Sequence, residues 1–263
     1  MLKLVIAASL LALQVPGPFV QMADTERAFA KRASEVGIRD SFLEYFADSA
    51  VRFDAEPSPA KPFLEKLKPQ PPSVVELVWE PRFGDISASG DIGYLTGPAS
   101  RIVHSDPAQP VTELAYFSIW KRQADGTFKV FIDQGITTPM AVPFPSGLTR
   151  ADASDRYAGR ASDADATLQR ADRDRTPPLT KNARVYRDGK MPFVGDAAQA
   201  QLVDGERDRT TESLHVESAT SGDLGISYGR YAMKTERGHY VRVWTRNRAG
   251  RWLLAFDVTA PRR

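Results

Sequence analysis

The stretch that decides the fold is Tyr116-Phe-Ser-Ile-Trp-Lys-Arg-Gln-Ala-Asp-Gly-Thr-Phe-Lys-Val-Phe-Ile-Asp133, two alternating segments joined at Asp125-Gly126. An Asp-Gly pair between alternating apolar segments is a strong signal for a β-hairpin. The pattern recurs as Tyr240-Val-Arg-Val-Trp-Thr-Arg-Asn-Arg-Ala-Gly-Arg-Trp-Leu-Leu-Ala-Phe-Asp257. Its aromatic, glycine and terminal aspartate positions repeat at a constant separation. The repeat predicts a duplicated structural unit.

A second repeated motif lies upstream of each hairpin. Ser89-Gly-Asp-Ile-Gly in the first half corresponds to Ser221-Gly-Asp-Leu-Gly in the second. Two motifs that recur in the same order indicate duplication of a whole domain rather than of one hairpin. We interpret the aspartates of these motifs, Asp91 and Asp223, as turn residues without a catalytic role.

Composition and charge exclude several classes of protein. The chain has 263 residues, enough for two ordinary domains, and its 42% hydrophobic and 26% charged content is typical of globular proteins. The net charge of +2 provides no general basic surface, so we expect no nucleic-acid partner. Cysteine is absent, and His104, His215 and His239 are widely separated. We therefore expect neither a metal site nor a cofactor.

The N-terminal segment resembles a secretory signal peptide. Lys3 precedes the apolar run Leu4-Val-Ile-Ala-Ala-Ser-Leu-Leu-Ala-Leu13, and Pro16-Gly-Pro18 follows it. The run is too short for a permanent membrane anchor. We predict that residues 1–22 are a signal peptide with an undefined cleavage site and that the mature protein is periplasmic or secreted. A buried first helix is the alternative interpretation.

The sequence pattern of the first half predicts helices followed by strands. Helices are predicted over 24–36, 40–48 and 58–67, and strands over 50–53, 73–79, 91–104, 111–123 and 127–134. Pro81 predicts a break after the strand 73–79. Helices followed by a series of antiparallel strands are typical of the α+β class.

The second half repeats this order after the Pro-rich segment 138–149, which we interpret as a linker. Helices are predicted over 151–173 and 196–203, and strands over 212–219, 224–234, 239–247 and 251–259. The predicted domains are 23–137 and 150–263. The second has a more polar helical region than the first.

Three segments carry a resemblance to a known family. These are Phe46-Ala-Asp-Ser-Ala-Val-Arg-Phe53, Ser89-Gly-Asp-Ile-Gly-Tyr-Leu-Thr-Gly97 and the hairpin ending at Asp133. They resemble the nuclear transport factor 2-like superfamily, in particular its SnoaL-like and DUF4440 branch. The resemblance implies two cones, each a curved antiparallel sheet wrapped around N-terminal helices. Because this fold hosts isomerases, cyclases, dehydratases, transport factors and many non-enzymes, it leaves open whether the chain is an enzyme.

The resemblance also implies a cone whose mouth can hold a small apolar ligand. Aromatic residues of the first half are the candidates to line it: Phe42, Tyr45, Phe46, Phe53, Trp79 and Tyr116. Aromatic lining is typical of small-molecule sites. The alternative is that these side chains fill a hydrophobic core.

Asp133 is the candidate general base, because it ends the last strand of the first half after an apolar run. Burial would raise the pKa of such a carboxylate toward neutrality. Tyr45 or His104 could assist it. The recurrence of the residue as Asp257 favours a structural role instead.

Three functions remain open. The first is an exported tandem protein whose first cone binds a small apolar ligand. The second is a small-molecule isomerase, cyclase or hydrolase that uses Asp133 with Tyr45 or His104. The third is a protein-interaction module without a ligand. We also expect the copies to pack sheet on sheet as an intrachain pseudo-dimer that buries Ile119 and Val243.

Overall fold

The computed structural model describes residues 16–106 and 108–262. Each half of the chain contributes one sheet and a set of helices, as expected for the α+β class. The helices are α1 (Pro18–Val36), α2 (Ile38–Tyr45), α3 (Ala60–Lys66), α4 (Ala164–Asp172) and α5 (Asp196–Ala200), with a short π-helix at Gln201–Gly205.

Helix α1 starts earlier than its sequence pattern predicts. It begins with Pro18, a residue suited to the first helical position, and ends at Gly37, whose φ of 90° lies in the left-handed region. Met22 is fully buried against the first sheet. Residues 18–22, which the signal-peptide prediction includes, are therefore part of a packed helix. Residues 1–15 of that predicted segment lie outside the described residues.

The first half forms an eight-stranded mixed sheet. Its strands are β1 (Phe46–Phe53), β2 (Pro57–Pro59), β3 (Val75–Trp79), β4 (Phe83–Ile86), β5 (Ile92–Val103), β6 (Thr112–Arg122), β7 (Phe128–Thr137) and β8 (Thr149–Arg150). The order is β2-β1-β7-β6-β5-β4-β8, and β1 runs parallel to β7. Strand β5 pairs with both β3 and β4, so the break predicted at Pro81 separates two short strands along one long partner.

The second half forms a six-stranded sheet of the same design. Its strands are β9 (Leu179–Tyr186), β10 (Phe193–Val194), β11 (Thr210–Ser218), β12 (Leu224–Ala232), β13 (Arg237–Arg246) and β14 (Trp252–Pro261). The order is β10-β9-β14-β13-β12-β11, and β9 runs parallel to β14 as β1 does to β7. The two halves therefore share the parallel strand pair as well as the hairpin from which the duplication was inferred.

Three further predicted boundaries differ from the structure. The long helix predicted over 151–173 is wrong, because only Ala164–Asp172 is helical. Upstream of it, Arg156 forms a β-bridge with Asn247 and an ion pair with Asp85, contacts that a continuous helix would not allow. Strand β8 falls across the predicted end of the linker and joins the first sheet. Strand β1 also begins at Phe46, inside the second predicted helix.

The two faces of each sheet pack against different layers. In β6, Tyr116 and Trp120 contact the helices of the first half, whereas Phe117 and Ile119 face the second half. This alternation follows from the two-residue period of a strand. Phe117 stacks on Phe256 of β14 with ring centroids 4.1 Å apart. The core between the sheets therefore draws on both halves.

The repeated Ser-Gly-Asp turns contact each other across this interface. The Ser89 and Ser221 hydroxyl oxygens are 2.8 Å apart, and each backbone N–H donates to the other serine at 3.1 Å. The Ala88 N–H donates to the carboxylate of Asp223, and the Thr220 N–H donates to that of Asp91. These reciprocal bonds relate the two halves by an approximate twofold axis.

Candidate functional site

The aromatic residues predicted to line a ligand site lie in the first half around Phe29 of α1. The Phe29 ring centroid is 4.9 Å from those of Phe42, Tyr45 and Trp79. Phe46 lies 5.0 Å from Phe42. Phe29 is fully buried, so these rings contact one another and fill the interior between helices and sheet.

Tyr116 belongs to the same cluster, but Phe53 does not. Phe53 packs against Tyr228 and His239 of the second half, with centroid distances of 5.4 and 5.5 Å. The structure thus brings together five of the six aromatic candidates and places Phe53 at the interface between the halves.

A buried carboxylate that the sequence does not reveal lies beside this cluster. Glu26 of α1 accepts hydrogen bonds from Trp79 Nε1 at 2.7 Å, Ser118 Oγ at 2.6 Å and Trp120 Nε1 at 2.8 Å. Burial raises its pKa, and the three donors partly offset that effect. Glu26 lies in an ordinary charged helical segment, so only its i, i+3 spacing with Phe29 hinted that it faces inward.

Asp133 lies next to this group on β7. It pairs directly with Ser118 of β6, so both side chains point to the helical side of the sheet. Among the described residues its carboxylate has no hydrogen-bond or ion-pair partner. Burial, together with the charge of Glu26, raises its pKa to about 8. The Tyr116 hydroxyl is also buried without a described partner, and burial raises its pKa well above 10.0.

The other catalytic candidates lie elsewhere. His104 is 43% exposed and bonds Glu76 at 2.9 Å, near the end of β5. Tyr45 stacks on Phe29. Within the described part of the chain neither of them bonds Asp133, whose electrostatic neighbours are Glu26 and Tyr116.

The equivalent position in the second half has the opposite environment. Asp257 of β14 pairs with Arg242 of β13, at the place that Ser118 occupies in the first half. Arg242 Nε donates to it at 2.7 Å, and Arg187 and Arg209 lie at 2.8 and 3.1 Å. Burial alone would raise the pKa of Asp257, but the three guanidinium groups hold it well below its usual range.

Two more carboxylates complete this buried cluster. Glu206 contacts Arg187 at 2.5 Å and Arg209 at 2.9 Å, and Asp172 contacts Arg242 at 3.1 Å. Asp172 also accepts hydrogen bonds from Ser227 and Tyr240. We call these six charged residues the arginine cluster: Asp172, Arg187, Glu206, Arg209, Arg242 and Asp257. It contains three cations and three anions, all at most 7% exposed.

A cavity of about 290 Å³ opens beside the arginine cluster. Four arginines and two carboxylates line it: Arg175, Arg207, Arg209, Arg242, Asp174 and Glu206. Leu202, Val203 and Pro177 supply apolar walls. The Nε and Nη2 atoms of Arg209 are buried and have no hydrogen-bond acceptor in the described part of the chain. The guanidinium groups that line this cavity suit a small anion.

Sequence reasoning missed this cavity because its residues are scattered. Arg209 and Arg242, which line it, are far apart in the chain, and arginine is ordinarily a surface residue. One signal was available. In the repeated hairpin, Arg242 replaces a small hydroxyl residue at an inward-facing position opposite a repeated aspartate.

The described residues contain no group of three or more His, Asp or Glu side chains arranged to hold a metal ion. No helix among them has the length and hydropathy needed to span a membrane.

Comparison with known proteins identifies similar folds. No protein-family model and no curated protein matches the chain. Among solved structures it is similar to a candidate ketosteroid isomerase from Parabacteroides distasonis, with 12% identity and a TM-score of 0.35 over 43% of this chain and 86% of that one. It is similar to nuclear transport factor 2 from Cryptosporidium parvum, with 11% identity and a TM-score of 0.32 over 48% and 99%.

A protein of unknown function from Pseudomonas putida, described as NTF2-like after nuclear transport factor 2, is similar with 17% identity and a TM-score of 0.31 over 47% and 88%. These three structures are covered almost completely, yet each match spans less than half of this chain. The chain is thus similar to proteins of the nuclear transport factor 2-like superfamily. We take no activity from these similarities.

Proposed function

We propose that the chain is an exported tandem of two nuclear transport factor 2-like cones that binds a small anionic molecule in the second cone. The observation that carries this proposal is the cavity of about 290 Å³, whose lining holds four arginines and two carboxylates. The aromatic residues of the first half pack against one another. We therefore place the ligand site in the second half and not at the apolar site expected in the first. The first half then serves as scaffold.

The arginine cluster favours binding over acid–base catalysis. Its arginines hold the pKa of Asp257 and of Glu206 below their usual ranges, so neither carboxylate can act as a base of near-neutral pKa. Buried arginines retain their charge and fix the geometry of an anion. The cluster therefore suits recognition.

Thermal unfolding tests this proposal. Small organic carboxylates, phosphonates and sulfonates should raise the melting temperature at pH 7, whereas neutral analogues should not, because only a ligand that binds the folded state stabilises it. If no anion of the three classes shifts the transition, the proposed function is wrong.

A matched pair of exposed arginines provides the control. Arg175 lines the cavity and donates to the Arg207 carbonyl at 2.8 Å, and Arg248 donates to the Ser154 carbonyl at 2.8 Å away from it. Arg175→Gln should weaken binding about twofold to fivefold, since an exposed charge contributes up to about 1 kcal/mol. Arg248→Gln should leave binding unchanged.

A second candidate function is supported by Asp133. A carboxylate with a pKa of about 8 near an unpartnered tyrosine hydroxyl suits proton transfer, as the isomerase, cyclase or hydrolase hypothesis requires. Tyr116 replaces Tyr45 and His104 as its partner in this proposal. Exchange of α-protons of small ketones in D₂O, followed by proton NMR, tests it. Exchange that persists in Asp133→Asn would refute the role of this residue.

A further inference from the structure

Glu206 places a carboxylate of the protein itself against the arginines of the proposed anion site. Nε and Nη2 of Arg187 donate to its two oxygens at 2.5 and 2.9 Å, and Nη1 of Arg209 donates to it at 2.9 Å. Two parallel hydrogen bonds from one guanidinium group are the arrangement in which arginine holds a carboxylate or a phosphate. Glu206 thus occupies donors that a small anion would use.

Glu206 also lies between the cavity and Arg187. Its side chain lines the cavity of about 290 Å³, whereas Arg187 does not belong to the lining. The Arg187 side chain is buried behind it and is only 6% exposed. A ligand in the cavity therefore reaches the donor edge of Arg187 only after Glu206 has moved.

The charges around the cavity are balanced while Glu206 is in place. The arginine cluster holds three cations and three anions. Arg207 pairs with Asp204 at 2.7 Å, and the Asp174 carboxylate lies in the same lining as Arg175. Withdrawal of Glu206 leaves the cluster with one positive charge in excess, which one additional anion would neutralise. The site therefore favours an anion in the state in which Glu206 has left it.

The segment that carries this residue has few buried contacts. We call residues 201–208 the gate segment. It begins with the π-helix Gln201–Gly205, a rare conformation that is frequent at functional sites. Leu202 and Val203 are half-buried, and Glu206 is the one buried residue of the gate segment. Since segments with few buried contacts open at a low cost in free energy, the ion pairs of Glu206 are its main attachment to the core.

We propose that Glu206 is an internal competitor at this site: it occupies Arg187 and Arg209 in the unliganded protein, and a small anion binds by displacing it, which releases the gate segment. This proposal rests on the anion-binding function proposed above and adds the regulation of that site. The competition lowers the affinity of the native protein for anions, because a ligand binds only the fraction of molecules in which Glu206 has withdrawn.

Calorimetric titration of the full chain with propionate, methylphosphonate and methanesulfonate tests the proposal. Glu206→Gln preserves the shape of the side chain and removes its charge, so these anions should bind the variant about tenfold more tightly than the wild type. A purely structural role of Glu206 predicts equal or weaker binding, since the loss of a buried ion pair would loosen the site.

Asp204→Asn is the matched control on the gate segment. It removes one negative charge, but Asp204 pairs with the exposed Arg207 and does not line the cavity. Its affinity for the three probes should stay within about twofold of the wild type, because an exposed ion pair contributes little. A gain equal to that of Glu206→Gln would show that the overall charge of the segment controls binding, and it would overturn the proposal.

Hydrogen exchange of the wild-type protein, followed by mass spectrometry, does not depend on whether a variant folds. Saturation with the tightest of the three probes should speed amide exchange in the gate segment about threefold or more, because displacement of Glu206 removes its buried attachment. Unchanged or slower exchange there would mean that the anion binds beside Glu206 without displacing it, and the proposal would be wrong.

The titrations separate this proposal from the function on which it rests. If the wild type binds an anion and Glu206→Gln binds it no more tightly, the displacement is wrong and the anion-binding function stands. If Glu206→Gln alone binds, Glu206 blocks the site and anion binding by the native protein is refuted. If neither protein binds any probe, both fail.

Discussion

The repeated aspartates Asp133 and Asp257 show how strongly neighbouring residues determine the protonation state of a carboxylate. Asp133 faces Ser118 and meets no cation among the described residues, so burial raises its pKa to about 8. Asp257 faces Arg242 and two further arginines, and its pKa lies well below the usual range. At neutral pH the first is mostly protonated and the second is ionised.

Asp133→Asn should change how stability depends on pH. The pKa of Asp133 rises from its ordinary value of 3.8 to about 8 in the folded protein, so the folded state binds the proton more tightly than the unfolded state. Asp133 therefore makes the free energy of unfolding fall as pH rises from about 4 to about 8. An asparagine side chain cannot ionise, so the variant should lose this decline. Urea unfolding at several pH values measures it.

Asp257→Asn is the matched control at the equivalent position. It leaves three buried guanidinium groups with one carboxylate fewer, and breaking such a buried pair costs about 3–5 kcal/mol. The variant should be strongly destabilised at neutral pH, whereas Asp133→Asn should not. Similar losses in both variants would contradict the assigned environments.

Single residues of the site were only partly predictable from the sequence. The sequence identified Asp133 and its repeat, because both end an alternating apolar strand. It missed Glu26, which resembles any other acid of a charged helix. It also missed Arg209, whose role depends on long-range contacts with Asp257 and Glu206 that local pattern does not encode.

At the scale of elements, one glycine in each half permits a neighbouring backbone segment to approach its strand closely. A Cβ atom at Gly97 of β5 would lie 1.9 Å from the Glu80 carbonyl oxygen, and one at Gly229 of β12 would lie 2.0 Å from that of Glu212. Neither glycine has a positive φ. Glycine is therefore required at both positions because a Cβ atom would not fit, and not because of the backbone conformation.

Gly97→Ala should destabilise the protein by about 1–3 kcal/mol, the usual cost of forcing an extra carbon into a packed site. Gly135→Ala in β7 is the control, since its Cβ would meet only the Ala115 carbonyl oxygen at an ordinary 3.7 Å. It should change stability by no more than about 0.5 kcal/mol. Denaturant midpoints measure both, and equal values would refute the close approach as the reason for Gly97.

Elements with strong periodicity were predicted better than those without it. The hairpin turn at Gly126 and its repeat at Gly250 have φ values of 85° and 80°, as a tight turn requires. The segment 151–163 was wrongly predicted as helix because its alanines favour that conformation. Its actual conformation is set by Arg156, which reaches Asp85 and Asp223 in other elements.

At the scale of the whole molecule, the two sheets share one core. Tyr186 of the second half bonds Thr96 of the first at 2.8 Å between hydroxyl oxygens, and Phe256 stacks on Phe117. Together with the reciprocal serine turns, these contacts support our proposal that the copies form a permanent intrachain pseudo-dimer.

Small-angle scattering should therefore report one compact particle with a radius of gyration of about 18 Å, the value expected for a compact chain of this length. Phe256→Ala removes a ring from the shared core and should lower stability by about 3–5 kcal/mol. A wild-type scattering profile with two separated lobes would refute the pseudo-dimer.

The covalent link between the copies has a consequence for how such a molecule can evolve. In a dimer of identical chains every substitution appears twice, once on each side of the twofold axis, so a buried arginine must be accommodated in both subunits. In a tandem chain a substitution appears once. Arg242 could therefore arise opposite Asp257 while Ser118 remained opposite Asp133. A covalent tandem can therefore hold a charged interior in one copy and an uncharged hydroxyl residue at the equivalent position of the other.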